Sequence, residues 1–103
     1  MIRGTTPTLS FNLPFSTSMI KSAEITIKYV DGLKRILITK TLDECEVEEM
    51  RIGARLTQEE TLQFPAPSTV LVQLRVLTTD DTALATVPLS VKVKKLLTED
   101  VIE

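Results

Sequence analysis

The chain contains no histidine and no tryptophan, one cysteine, and three glycines isolated at positions 4, 32 and 53. Without an imidazole, Ser-His-Asp and Cys-His catalysis are closed to it, as are His-containing zinc sites. The lone Cys45 forms no internal disulfide and builds no thiolate metal site. Isolated glycines leave no Gly-rich phosphate loop. Aromatic residues are 4% of the chain, Tyr29 and three Phe, a poor supply for a groove on which sugars stack. The longest apolar stretches are strand-length, short of the roughly 20 residues a membrane helix needs. Met1–Thr6 has no signal-peptide apolar run. Charge is also nearly balanced, 12 basic against 14 acidic residues, and no basic surface points to nucleic acid. Lys92, Lys94 and Lys95 form the densest basic spot and read as solvated strand-edge lysines that discourage edge pairing. The expectation is therefore a soluble protein with no metal or cofactor and neither membrane nor nucleic acid as partner.

What is present is branched and aliphatic. In 103 residues, 43% hydrophobic and 25% charged, Val, Ile and Thr are abundant, a composition that suits pleated surfaces. One domain over residues 1–103 is expected, with enough surface to bury a core without staples. Asp31-Gly32 between apolar alternations is a strong hairpin signal. A turn there pairs Val30 with Leu33 and sets Ile27 opposite Ile36 and Ile25 opposite Ile38, the four isoleucines all on one face. Turn chemistry and apolar pattern agree, and a one-residue slip would break the match.

A second hairpin follows the same logic. Val70, Val72, Leu74 and Val76 alternate along one segment, and Ala83, Ala85, Val87, Leu89, Val91 and Val93 along the next. A turn at Asp80-Asp81 pairs Val76 with Ala85, Leu74 with Val87, Val72 with Leu89 and Val70 with Val91. A longer Thr78–Thr82 loop also serves, since no glycine is present. Leu9, Phe11 and Leu13 make a first strand stopped by Pro14, and Cys45 and Val47 a short one turning at Glu48-Glu49. Met50, Ile52, Ala54 and Leu56 make another. Thr57-Gln58-Glu59-Glu60 is a capping box, predicting one helical turn that ends near Leu62. Leu62 and Phe64 then plug the core before Pro65 and Pro67 restart an extended chain. About seven short strands and one short helical turn read as an all-β, antiparallel immunoglobulin-like sandwich, with a small barrel as the alternative.

Few residues suggest chemistry. Asp81-Thr82-Ala83 has a faint aspartic-protease look but reads as a hairpin tip. Asp31, Asp80 and Asp81 read as turn carboxylates rather than calcium ligands. The acidic run Asp43–Glu49 reads as a solvated edge strand, or else as a patch for a basic partner. Cys45 lies among acids, which raise a thiol pKa, and reads as a small half-buried apolar residue. No catalytic residue is proposed. The candidate site is a surface. If Val72 and Leu74 face inward, Leu71, Gln73, Arg75 and Leu77 face out, joined by Leu84, Thr86, Pro88, Ser90 and Lys92. Leu71, Arg75, Leu77 and Leu84 then form a candidate interface. The tail adds Leu96, Leu97, Val101 and Ile102, either folded back on the sandwich or reaching a neighbouring subunit as a docking arm.

Three segments carry a family likeness: Arg3-Gly4-Thr5-Thr6-Pro7-Thr8, Leu56–Phe64, and Val70–Asp80 with Ala83-Leu84-Ala85-Thr86 following. Together they resemble small proteins of phage and prophage tail regions in Gram-positive gut bacteria. More loosely, they resemble the N-terminal domain of siphophage upper baseplate proteins. The resemblance implies an immunoglobulin-like domain mounted in a tail or baseplate assembly, made in the bacterial cytoplasm and built into a virion. Its partners would be other tail or baseplate proteins, or further copies of itself. It brings no catalytic residues, so a non-catalytic structural and protein-interaction module is expected. The alternative is a β-sandwich that binds carbohydrate or a cell surface.

Overall fold

Alternating burial along two long segments sets the architecture. In the computed structural model, which describes residues 1–97, strand β2 runs Ile20–Asp31 and β6 runs Ser68–Thr78. Every second residue is buried from Ala23 to Tyr29 of β2 and from Val70 to Thr78 of β6, and the two strands pair antiparallel, with Ile25 opposite Leu74 and Ile27 opposite Val72. Around them stand β3 (Lys34–Thr41), β7 (Ala83–Ala85) and β8 (Leu89–Val93). The resulting five-stranded sheet has the order β3-β2-β6, with β7 and β8 both pairing along the far edge of β6. A second, antiparallel sheet of order β1-β5-β4 is built from β1 (Thr8–Asn12), β4 (Glu46–Glu48) and β5 (Arg51–Arg55). The protein is thus an all-β sandwich of two packed sheets.

Ile25, Ile27, Val70, Val72 and Leu74 from the larger sheet meet Ile52, Ala54 and Leu56 from the smaller side. Burying each large aliphatic side chain contributes about 1.5–3 kcal/mol before entropy is counted. Phe64 closes one end of this core and is fully buried, as its position before Pro65 predicts. The helical turn forms as α1 (Gln58–Leu62) with Thr57 as its N-cap. Its capping box is complete. Glu60 N–H donates to the Thr57 hydroxyl at 3.1 Å, and Thr57 N–H donates to the Glu60 carboxylate at 2.8 Å. Two short 3-10 turns, Thr17–Met19 and Leu42–Glu44, were not foreshadowed by the apolar pattern.

The first hairpin forms with a register different from the predicted one. Asp31 pairs with Lys34, so the two-residue loop is Gly32-Leu33, and Ile27 lies opposite Ile38 rather than Ile36. Val30 pairs with Arg35 and Ile25 with Lys40, not with Leu33 and Ile38. Gly32 has φ +57° and Leu33 is not among the positive-φ residues. Glycine at the first central position is the demand of a II′ turn, whereas I′ needs positive φ at both. The shift is two residues along the partner strand, so side-chain parity survives and Ile25, Ile27 and Ile38 stay buried.

The second hairpin is correct in one half and displaced in the other. Val70 pairs with Val91 and Val72 with Leu89, as predicted. Nearer the tip the register moves by one, putting Leu84 opposite Val76 and Ala85 opposite Arg75. The interruption falls at Thr86–Pro88, where proline has no N–H to give the ladder. Thr86 bridges the gap instead. Its N–H donates to the Leu74 carbonyl at 2.9 Å, and its hydroxyl accepts from Leu74 N–H at 3.1 Å. The tip is the longer loop, with Asp81 at φ +65°. Ala83, Ala85, Val87 and Leu89 are exposed rather than part of the core. Met50 likewise lies outside β5, because Glu48 pairs with Arg51 and the turn is Glu49-Met50.

Candidate functional site

The outer face of the five-stranded sheet carries most of the surface singled out above. Parity on β6 turns Leu71, Gln73, Arg75 and Leu77 away from the core that holds Val72, Leu74 and Val76. Register brings neighbours from β2 and β3 beside them. Leu71 lies between Lys28 and Ser90, and Lys28 in turn lies beside Leu37. Arg75 lies beside Glu24, and its Nη1 donates to Glu24 Oε1 at 2.9 Å. This ion pair is exposed, so it contributes about 0–1 kcal/mol to stability and mainly fixes where the guanidinium sits. Leu37 and Leu71 are exposed, and Leu77 is half-buried opposite Ala83. Beside Arg75 and Leu77 a shallow open hollow of about 700 Å³ extends to Lys21, Leu42 and Asp43. The face thus alternates apolar spots with one held charge pair.

Leu84 does not belong to this face, contrary to the sequence expectation. The one-residue slip turns it to the side of Val76, where it lines a separate cleft of about 200 Å³ with Phe11, Leu13, Phe15 and Leu74. Glu24 and Leu37 are the neighbours that sequence reading missed. Alternation along β2 marks Glu24 as outward, but no sequence signal shows that β2 lies beside β6.

The described part of the tail folds back. Leu96 is half-buried, and its Cδ1 lies 2.7 Å from where a Cβ on Gly4 would stand. Leu97 is fully exposed. Val101 and Ile102 lie outside the described residues.

The polar groups weighed for chemistry are engaged locally. Asp80 is at the exposed tip, where hydrogen bonds from the Thr78 hydroxyl and from Thr82 hold its carboxyl below the ordinary range. Asp81 Oδ1 lies 3.2 Å from Lys21 Nζ. Burial, and after it the neighbouring Glu44 charge, pushes the Cys45 thiol up, the opposite of a reactive nucleophile. Among the described residues no group of three or more Cys, Asp or Glu is placed to hold a metal ion. Likewise, no helix there is long and apolar enough to cross a membrane. The chain matches no family model, and no curated protein matches it either.

Proposed function

We propose that the chain is a non-catalytic structural and protein-interaction module, an immunoglobulin-like mounting domain of a phage or prophage tail or baseplate assembly. One observation carries the interaction reading. Exposed Leu37 and Leu71 and half-buried Leu77 share the outer sheet face with a positioned Arg75–Glu24 pair. Apolar spots with a held arginine suit a protein partner, because arginine is enriched at interfaces and is pre-oriented there at little entropic cost. The tail context rests on the likeness of the Arg3–Thr8, Leu56–Phe64 and Val70–Thr86 segments.

Co-expression with phage tail and baseplate proteins, followed by size exclusion with light scattering, tests the reading. The expected result is a complex that Leu71→Glu with Arg75→Glu abolishes while the domain stays folded. Failure to bind any of them, or binding indifferent to the double substitution, rejects the reading.

A further inference from the structure

The flank of the sandwich offers an inference independent of the outer face. Strand β3 ends the larger sheet and β4 ends the smaller one, so among the described residues each has a strand neighbour on one side only. Only the 3-10 turn Leu42–Glu44 and Cys45 separate them, which places both edges on the same flank. Charge is segregated along it. At the hairpin end stand Lys34 and Arg35, next to exposed Val30 and Leu33, with Leu33 at 106% of its reference exposure. At the other end stand Glu46 and Glu49, next to exposed Val47 and Met50. None of these four charged residues has an ion-pair partner among the described residues. Other charges nearby are already engaged: Lys40 with Glu60, Glu48 with Arg51, and Asp31 with the Tyr29 hydroxyl.

Basic residues on an edge strand ordinarily repel another copy of the same edge. The charges of β4 and its turn, Glu46 and Glu49, are of the opposite sign, so they attract the basic end of β3 rather than repel it. We propose that this flank is a self-association surface occupied by a second copy of this chain. The basic hairpin end of each copy lies on the acidic β4–β5 turn of the other. Because both ends share one flank, a two-fold rotation makes the contact twice and closes the assembly at a dimer. The apolar residues at each end supply buried area, and the charges supply register and speed of encounter.

Sedimentation velocity on the intact chain tests this directly. The wild type is expected to dimerise at low salt, with dissociation at least about tenfold easier as salt rises from about 50 to about 500 mM. Lys34→Glu with Arg35→Glu is expected to be monomeric, and so is Glu46→Lys with Glu49→Lys. Mixing these two variants is expected to restore a heterodimer, because both contacts then regain opposite signs. All four side chains are exposed, and circular dichroism melts confirm that each variant is folded. A wild type that stays monomeric at every salt and concentration overturns the proposal and leaves the flank to a different protein. A dimer indifferent to the reversals, or no recovery on mixing, overturns it too.

Discussion

Gly4 donates its backbone N–H to the hydroxyl of Thr61 at 2.9 Å, and that hydroxyl reaches back to the Thr5 carbonyl at 2.9 Å. Arg3, one residue earlier, donates from Nη2 to the Leu62 carbonyl and from Nε to the Phe64 carbonyl, both at 2.7 Å. The N-terminal segment therefore satisfies carbonyls left open at the end of α1, a task usually given to a capping residue within the helix's own sequence.

This clamp requires glycine. Gly4 sits at φ +79°, and a Cβ there would meet Leu96 Cδ1 at 2.7 Å. Gly4→Ala should cost about 1–2 kcal/mol from the left-handed backbone, with the end of the Leu96 side chain pushed aside. Thr61→Val removes the hydroxyl and leaves the Gly4 N–H without its partner, a loss of about 1–3 kcal/mol. Urea denaturation of both variants checks these values, and an unchanged midpoint for Gly4→Ala would refute the account.

Lys40 Nζ and Glu60 Oε2 are 2.7 Å apart with side chains only 15% and 20% exposed, tying the β3 edge to α1. Burial tends to raise the Glu60 carboxyl, but Lys40 and the Thr57 backbone N–H outweigh it and hold the pKa below the usual range. Lys40→Met should destabilise by about 1–2 kcal/mol, between the values for exposed and fully buried pairs.

The same shift sets an acid dependence. A carboxyl whose pKa is lower folded than unfolded contributes stability that is fully present above the unfolded value, about 4.3 for Glu. That stability is lost as pH falls through the folded value. Glu44, lowered by the Thr41 backbone N–H and hydroxyl, and Asp80 act in the same direction. Denaturation midpoints should fall between about pH 5 and about pH 2. The fall should be smaller in Lys40→Met.

Cys45 should react slowly. With its thiol pKa raised by burial and by Glu44, little thiolate exists near neutrality. Native protein should modify with a disulfide reagent several-fold more slowly than the same protein in urea. Equal rates would contradict the half-buried placement.

Local chemistry made much of this legible. Thr57 and Glu60 form the capping box that their spacing predicts, and alternation gives the buried faces of β2, β5 and β6. Legibility fails where a distant or unpatterned contact decides. The Gly32-Leu33 loop was displaced because glycine suits two turn types, and parity alone cannot separate registers two residues apart. Leu84 faces the wrong way for the predicted surface because Thr86–Pro88 interrupts the strand, and the apolar alternation runs straight across that interruption. The Arg3 clamp joins residues some sixty positions apart, a relation invisible to periodicity. On the outer face, Leu71, Arg75 and Leu77 stand together as alternation requires, while Glu24 enters only through β2–β6 pairing.

The Met1 amino group donates to the Lys92 carbonyl, the Lys94 N–H to the Met1 carbonyl, and the Arg3 N–H to the Lys94 carbonyl. The two ends of the described chain thus run side by side, while Gly32-Leu33 stands exposed at the tip of the first hairpin. A circular permutant that joins Leu97 to Met1 through a short spacer and opens at Gly32 is therefore expected to keep these ladders and to unfold in urea in one cooperative step.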